Sequence, residues 1–480
     1  MFMRKLLFLL CLFPFFLKAQ KPPNVIIFFA DDLRASALGC YGNSYVKTPT
    51  IDSLAAHGMR FTNTYIQGSH HGALCAPSRA MLLTGKSYHR IKDKMAGHET
   101  IAKRLKDRGY KTYMTGKWHN EKQVVAESFS KARNVMFGGM SDHYQVYCQD
   151  LLPDGNFTDI EYKGFSTDIF GQTMMDFIDE HPKDKPFFMY LPFTAPHDPR
   201  SPLPEYAKMY NPAGMPLPPN FMPSHPFYFG HSMEVRDENL APYPRTPEVM
   251  RAQWAEYAGL ITHMDETIGK VIAKLNAENL TENTLIIFLS DNGLAMGSHG
   301  LIGKQSAYEH CMNVPMIFSG PGIPQGAESD AFLYTLDILP TITDKLGIEK
   351  PDDLDGVSFE ASFRHTETSY RESIFTSYMN HQRAIRVGDF KLIRYPYIDK
   401  TVLFNLKEDP FELNDLSNRP GSANKISELM TEMRNQQEKF GDKAPLVVEE
   451  TVSEDWDYRT IDRKPDQWQP QEVIDKYFKD

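Results

Sequence analysis

The sequence predicts an α/β fold: a mostly parallel mixed sheet sandwiched by helices, with a smaller C-terminal α+β subdomain built on an antiparallel sheet. Three observations carry this. Short β-branched or aromatic apolar runs recur along the chain, stretches of helical spacing separate them, and beyond residue 370 the pattern changes to strand-like runs joined by a tight turn. Continuous apolar runs of that length are the signature of strands buried on both faces, as in parallel sheets covered by helices.

In chain order, residues 1–19 come first. Arg4 and Lys5 precede an apolar run from Leu6 to Leu17, and Lys18-Ala19-Gln20 follow it. Such a run is shorter than the roughly 20 residues that span a bilayer, so the segment reads as a signal peptide cleaved near Ala19. The mature chain is then exported, to the periplasm or the medium. No other stretch approaches a membrane span, so no stable membrane insertion is expected. The remainder divides into a main domain over 20–370 and a subdomain over 371–480, since 480 residues exceed one ordinary core and 41% hydrophobic content fills two.

Four apolar runs define the sheet. Asn24 to Ala30 leads into Asp31-Asp32, Lys111 to Thr115 into Gly116-Lys117-Trp118-His119, Pro186 to Leu191 into Ala195-Pro196-His197-Asp198, and Leu285 to Leu289 into Ser290-Asp291-Asn292-Gly293. Helical patterns at Thr100 to Arg108 and Glu248 to Leu275 lie between such runs. Ligands bind at the carboxyl ends of strands in sheets of this kind. Four strands therefore bring reactive groups to one edge.

The segment from Pro192 to Pro247 holds fourteen of the thirty-three prolines, which excludes long helices and central strands. It reads as an ordered surface excursion beside His197, either walling a pocket through residues such as Arg200 or serving as a structural wrap. In the subdomain, Ala384 to Val387 and Phe390 to Tyr395 flank Gly388-Asp389, a two-residue hairpin turn, and Val402 to Leu406 adds a strand. Ile426 to Phe440 has the spacing of a covering helix. Arg386 and Lys391 could meet a sugar there, but solvated strand faces are the expected setting, and the last forty residues are expected to wrap the surface.

Charge and cysteine content exclude other classes. A formal net charge of -10 argues against general nucleic-acid binding. An anionic ligand must then be held by local cations. The mature cysteines, Cys40, Cys75, Cys148 and Cys311, show no C-x-x-C pair and indicate neither a zinc site nor a disulfide framework, though their number allows one bridge.

The residues at the sheet edge fall into two sets. Asp31, Asp32, Asp291 and Asn292 offer only oxygen, which suits calcium or magnesium. Either pair alone also reads as a turn or helix cap. Arg79, Lys117, His119, His197 and Lys304 offer anion clamps and proton exchange near neutral pH. Cys75-Ala76-Pro77-Ser78-Arg79 opens a helix, with Pro77 at the first helical position and Thr84-Gly85 at the end. A cysteine there is either a buried structural residue or one whose thiol is acidified by the helix N-terminus and which helps to bind an anion. His143, His70-His71 and His299 are further candidates for the pocket.

Taken together these segments resemble the sulfatase family, within the alkaline-phosphatase-like superfamily, and its bacterial carbohydrate enzymes in particular. The resemblance rests on Cys75-Ala-Pro-Ser-Arg79 with Leu82-Leu83-Thr84-Gly85, on Ala30-Asp31-Asp32-Leu33, on Gly116-Lys117-Trp118-His119, on Ala195-Pro196-His197, on Asp291-Asn292-Gly293 and on Gly303-Lys304 before Tyr308-Glu309. It covers nearly all of the mature chain. Asn120 and Asn313 depart from residues common in the family.

The resemblance implies that a maturation enzyme oxidises Cys75 to formylglycine, whose hydrate attacks sulfur with one hydroxyl and expels sulfate with the other. It implies Ca2+ held by Asp31, Asp32, Asp291, Asn292 and residue 75, sulfate oxygens on Lys117 and Lys304, and Arg79 on the diol. His197 would protonate the leaving oxygen, His119 would deprotonate the second hydroxyl, and Asp291 can accept the attacking hydroxyl's proton. The expected substrate is a sulfated carbohydrate, a glycosaminoglycan or mucin-type glycan fragment, with His143 and Arg200 as further contacts. The rival readings are a phosphodiester or phosphonate monoester hydrolase on the same scaffold and a sulfated-glycan binding protein with unmatured Cys75.

Overall fold

The computed structural model describes residues 21–460 together with 471, 474 and 475. The leader read at 1–19 and most of the chain after Thr460 lie outside the described residues.

Eight strands build the main sheet: β1 (Asn24–Ala30), β2 (Gly58–Phe61), β3 (Lys111–Lys117), β4 (Lys131–Met136), β5 (Phe187–Pro192), β6 (Thr284–Ser290), β7 (Met316–Ser319) and β8 (Ala327–Ser329). Their spatial order is β8-β2-β7-β6-β1-β5-β3-β4. Pairing is parallel except on the two sides of β7, so the sheet is mixed but mostly parallel. The register aligns Ala30 with Ser290 and Phe29 with Pro192, so the carboxyl ends of β6, β1 and β5 share one edge.

Central β1 is buried at every position, and its pleat explains why an unbroken apolar run is needed. Ile26 and Phe28 face one core, completed by helices α3 (Ser166–Glu180) and α4 (Pro247–Ala277) through Phe170, Phe177, Ile261 and Ile268. Val25, Ile27 and Phe29 face the other, against Leu82 and Leu83 of α1 (Cys75–Thr84) and Ile101 and Leu105 of α2 (Ile101–Asp107). Helix α2 begins where Thr100 caps it by accepting from the Lys103 amide. Helix α4 begins with Thr246 as cap and Pro247 in its first turn.

The C-terminal sheet runs β12 (Lys400–Asn405), β11 (Phe390–Tyr395), β10 (Gln382–Val387), β9 (Ser373–Tyr378), antiparallel throughout, with the expected turn at Gly388-Asp389. Helix α5 (Ser422–Phe440) covers one face through Leu429, Met433 and Phe440. The other face is covered by Phe227, Phe229 and Met233 of the proline-rich excursion. A two-residue strand just before α1, Gly68–Ser69, adds to β9 in parallel. Gly68 has φ +112°, and a Cβ there would lie 1.7 Å from the Ser377 carbonyl oxygen, so only glycine permits the approach. The segment leading to Cys75 is thereby fastened to the C-terminal sheet.

Two expectations for the subdomain need correction. Lys391 and Arg386 do not lie on solvated faces: Lys391 is 2.8 Å from carboxylate oxygens of both Glu309 and Glu412, and Arg386 pairs with Glu309 at 3.3 Å. Both belong to a buried ion-pair network between sheet and main domain. The chain from Glu454 to Trp456 does lie against the excursion, with Trp456 donating to the His225 carbonyl.

Candidate active site

Every strand-end residue singled out in the sequence arrives at the shared edge by a local device. Asp31 and Asp291 follow β1 and β6, and the Asp291 amide donates to the Ala30 carbonyl. Asp32 turns back with φ 65°, its amide held by Asp291 Oδ1 at 3.0 Å. Before Lys117 the register of β3 shifts at Gly116 (φ +113°), where a Cβ would lie 2.0 Å from the Pro192 carbonyl oxygen. That bulge aims the lysine inward.

Helix α1 starts at Cys75 itself, so Pro77 takes the third helical position rather than the first; its missing N–H is still one the helix does not use. Gly85 ends the helix in the left-handed region at φ +66°. The sulfur of Cys75 lies 3.7 Å from Asp32 Oδ1 and from Asn292 Oδ1, and 3.2 Å from Lys304 Nζ. Lys304 Nζ also donates to both Asp32 oxygens, at 2.8 and 3.0 Å. Arg79 lies one turn on. It donates to Asp291 Oδ2 at 3.0 Å and to the Lys117 carbonyl at 3.0 Å, with its second carboxylate, Asp31, at 3.7 Å. Lys117 Nζ is ion-paired with Asp31.

Three buried carboxylates and three buried cations thus interlock. Burial, Asp31 and Asp32 raise Asp291 to about 8 against the pull of Arg79. Burial opposes the charge of Asp31, yet Lys117, His197 and Arg79 outweigh it and hold that carboxyl well below its ordinary range. Burial likewise works against Lys304, and Asp32 with its neighbours outweighs that too. The thiol behaves contrary to the expectation from its helix position: burial, Asp291 and Asp31 push Cys75 well above the usual range. Desolvation and two carboxylates exceed what a helix N-terminus supplies.

The histidines divide by role. His197 Nδ1 is 2.7 Å from the Asp198 carbonyl, an acceptor only, so Nδ1 carries the proton and Nε2 is left for the pocket, 3.7 Å from Asp32 Oδ2. His143 Nε2 donates to the His197 carbonyl at 2.9 Å and its Nδ1 meets Ser166 Oγ at 2.8 Å; it is buried behind His197. His119 has φ 65° and an Nδ1 without a hydrogen-bond partner. Burial first, then Lys117 and Arg79, hold its ring well below the usual range, and so neutral.

The oxygen-rich set fits a hard cation. Asp31 Oδ1 is buried without a hydrogen-bond partner, and ligand atoms of Asp31, Asp32, Cys75 and His197 lie within 4.8 Å of one another. Carboxylate and amide oxygens at this density match calcium better than zinc.

Residues 23–348, more than half of the chain, match the sulfatase family. The chain belongs to the sulfatase family. Residues 297–439 of this sulfatase match a second family, the N-sulphoglucosamine sulphohydrolase C-terminal region. It is 27% identical to an N-acetylglucosamine-6-O-sulfatase of Bacteroides thetaiotaomicron, over 92% of this chain and 91% of that one. Among solved structures it resembles a protein complexed with its substrate D-glucosamine-2-N,6-O-disulfate, with TM-score 0.76 and 26% identity over 89% of this chain and 99% of that one. It shares its fold with a phosphonate monoester hydrolase of Agrobacterium radiobacter, at TM-score 0.68 and 22% identity over 86% and 96% of the two chains. The sulfatase is a sulfuric ester hydrolase.

Of the sulfatase's other site residues, Asp198 stands in the strand-end run beside His197, whereas Asp237 carries no such signal in the sequence. Asp198 forms a bidentate pair with Arg236 while its carbonyl holds His197. Asp237 lies 4.0 Å from Lys304 Nζ and accepts from Gln305 at 2.7 Å. The run Arg236-Asp237-Glu238, charged within a proline-rich segment, was the available sign. Arg200 donates to Gln253 at 2.6 Å and keeps Nε and Nη2 buried without partners. Asn120 donates to the Ala76 and Asp93 carbonyls, tying the start of α1 to the segment that His70 and His71 face. His299 joins a different cluster, with His310 and Glu412.

Proposed function

We propose that this sulfatase removes sulfate from an oxygen of a sulfated carbohydrate, a glycosaminoglycan or mucin-type glycan fragment, using formylglycine at position 75 and calcium. The observation that carries this is the setting of residue 75. Its side chain lies between an oxygen cluster (Asp32, Asn292) and a cation (Lys304), with Arg79 bridging the neighbouring carboxylates. A sulfate there finds positive charge on one side and a nucleophile's orienting carboxylates on the other. Likeness to carbohydrate sulfatases supports the substrate class.

Formylglycine, formed from Cys75 by a maturation enzyme, supplies a hydrated aldehyde as nucleophile, which a thiol cannot. Calcium on Asp31, Asp32, Asp291, Asn292 and residue 75 supplies positive charge that polarises the sulfate. The protein's residues do the rest. Lys117 and Lys304 clamp sulfate oxygens while Arg79 orients the nucleophile. Asp291, whose carboxylate adjoins the nucleophile's position, receives the proton of the attacking hydroxyl. His197, when protonated on both ring nitrogens, delivers the Nε2 proton to the leaving sugar oxygen and keeps the one on Nδ1, its ring direction fixed by the Asp198 carbonyl and its backbone held by His143. His119, neutral in its buried setting, takes a proton in the step that releases sulfate.

Export through the leader at 1–19 belongs to the same reading. Among the described residues no helix is long and apolar enough to cross a membrane. A panel of mono- and disaccharide sulfates, varied one position at a time, with an aryl phosphodiester alongside, tests the substrate class. Turnover confined to sugar sulfates supports it, and faster turnover of the phosphodiester removes it.

A further inference from the structure

His299, His310 and Glu412 form a second cluster, set between the segment that carries Lys304 and the chain following β12. Their ligand atoms lie within 4.8 Å of one another, and all three residues are at least nine-tenths buried. Two of them have a buried ring nitrogen without a hydrogen-bond partner, His299 Nε2 and His310 Nδ1. Two such atoms beside a carboxylate are costly unless something satisfies them. We infer that His299, His310 and Glu412 form a buried site for a zinc-type divalent metal ion, separate from the catalytic oxygen cluster.

The chemistry selects the ion. Two imidazole nitrogens and one carboxylate suit zinc far better than calcium, and two or three protein ligands leave room for water or a further donor. The rings are available as neutral ligands, since burial holds His299 down to about 4 and His310 well below its ordinary range. Lys391 Nζ sits 2.8 Å from Glu412 Oε1, and is shared with Glu309 at 2.8 Å. Access is present: Glu412 lines two cavities, with His299 in one and His310 in the other. The first is bordered by Asp415, Glu454 and Asp455 against a single Lys400, a mouth that attracts cations. His299 and Glu412 both hold left-handed backbone, at φ 52° and 57°, conformations that non-glycine residues keep where the surroundings impose them. A metal here would staple the Lys304 segment to the C-terminal subdomain.

The test uses full-length protein stripped with a chelator, re-equilibrated with excess Ca2+ and titrated with Zn2+ alone, with bound metal counted by elemental mass spectrometry. A background carrying His70→Ala, His71→Ala and Cys75→Ser removes the competing imidazole pair and thiol. The expected result is one zinc per chain in wild type and background, a zinc-dependent rise in Tm, and at least tenfold weaker binding in His310→Gln and Glu412→Gln. Co2+ in the same background should give the visible absorption of a nitrogen-ligated site, a reading that needs neither glutamine variant. No zinc bound by wild type, loss of binding in the background, or full binding in both glutamine variants would overturn the inference.

Discussion

Lys304 Nζ sits 3.2 Å from the Cys75 sulfur while donating to both oxygens of Asp32, at 2.8 and 3.0 Å. One ammonium group therefore touches both the nucleophile's position and a ligand of the proposed metal. In Lys304→Met the charge facing a sulfate oxygen is lost and the side-chain length is kept. Removing one preorganised donor costs about 10²–10³ in kcat, and that loss is expected here with the far-ultraviolet circular dichroism unchanged. Steady-state kinetics on a sugar sulfate checks it; a change confined to KM would point to ground-state binding instead.

His197→Gln removes the proton donor at Nε2. General acid catalysis contributes about 10²–10⁴-fold, and only where the leaving oxygen needs a proton. The variant is therefore expected to lose that factor on a sugar sulfate and far less on a nitrophenyl sulfate, whose leaving group departs as the anion. Equal losses on both substrates would deny His197 this role.

Asp31 is paired with Lys117 and lies 3.7 Å from Arg79, all three buried. Asp31→Asn leaves two buried cations short of a partner. Breaking such a pair costs about 3–5 kcal/mol, read as a fall in the urea midpoint of calcium-free protein. Calcium affinity, measured by calorimetry, should also fall by more than about tenfold, the lower bound for losing even an outer partner of a metal site.

Asp265 offers a pH test away from the site. It accepts from the amides of Thr50 and Ile51 at 3.0 and 2.8 Å, yet burial raises it from 3.8 to about 6. The folded state therefore binds this proton more tightly than the unfolded chain. Its stabilising contribution is complete below pH 3.8 and is lost as pH rises through about 6. At about 1.4 kcal/mol per unit the loss is about 3 kcal/mol. Asp265→Asn removes the dependence, so its urea stability relative to wild type should improve between pH 4 and pH 6; a constant difference would contradict the assignment.

The sheet was legible because β1, β3, β5 and β6 are buried on both faces and so announce themselves as unbroken apolar runs that end in chemistry. Asp31, Lys117, His197 and Asp291 could be placed at one edge from that alone. The pairing of Gly68–Ser69 with β9 could not, because two residues carry no periodicity and their partner is some three hundred positions away. The pairing of Asp198 with Arg236 and the approach of Asp237 to Lys304 were hidden for a related reason: Arg236 and Asp237 sit on a single short 3-10 helix in the excursion, where contacts depend on the path of the chain. Lys391 shows the opposite failure. Its alternation on a strand reads as solvent-facing, and only the packing of the main domain against that face turns it into a buried ion pair.

The central claim is that residue 75 works as formylglycine, and the mass of the tryptic peptide containing it, in protein made in a host with the maturation enzyme, tests this most directly. The account predicts a peptide about 18 Da lighter than the cysteine form, the change from CH2–SH to CHO, in a fraction that rises and falls with specific activity across preparations. A peptide that keeps the full cysteine mass in protein that still hydrolyses sugar sulfates would contradict it.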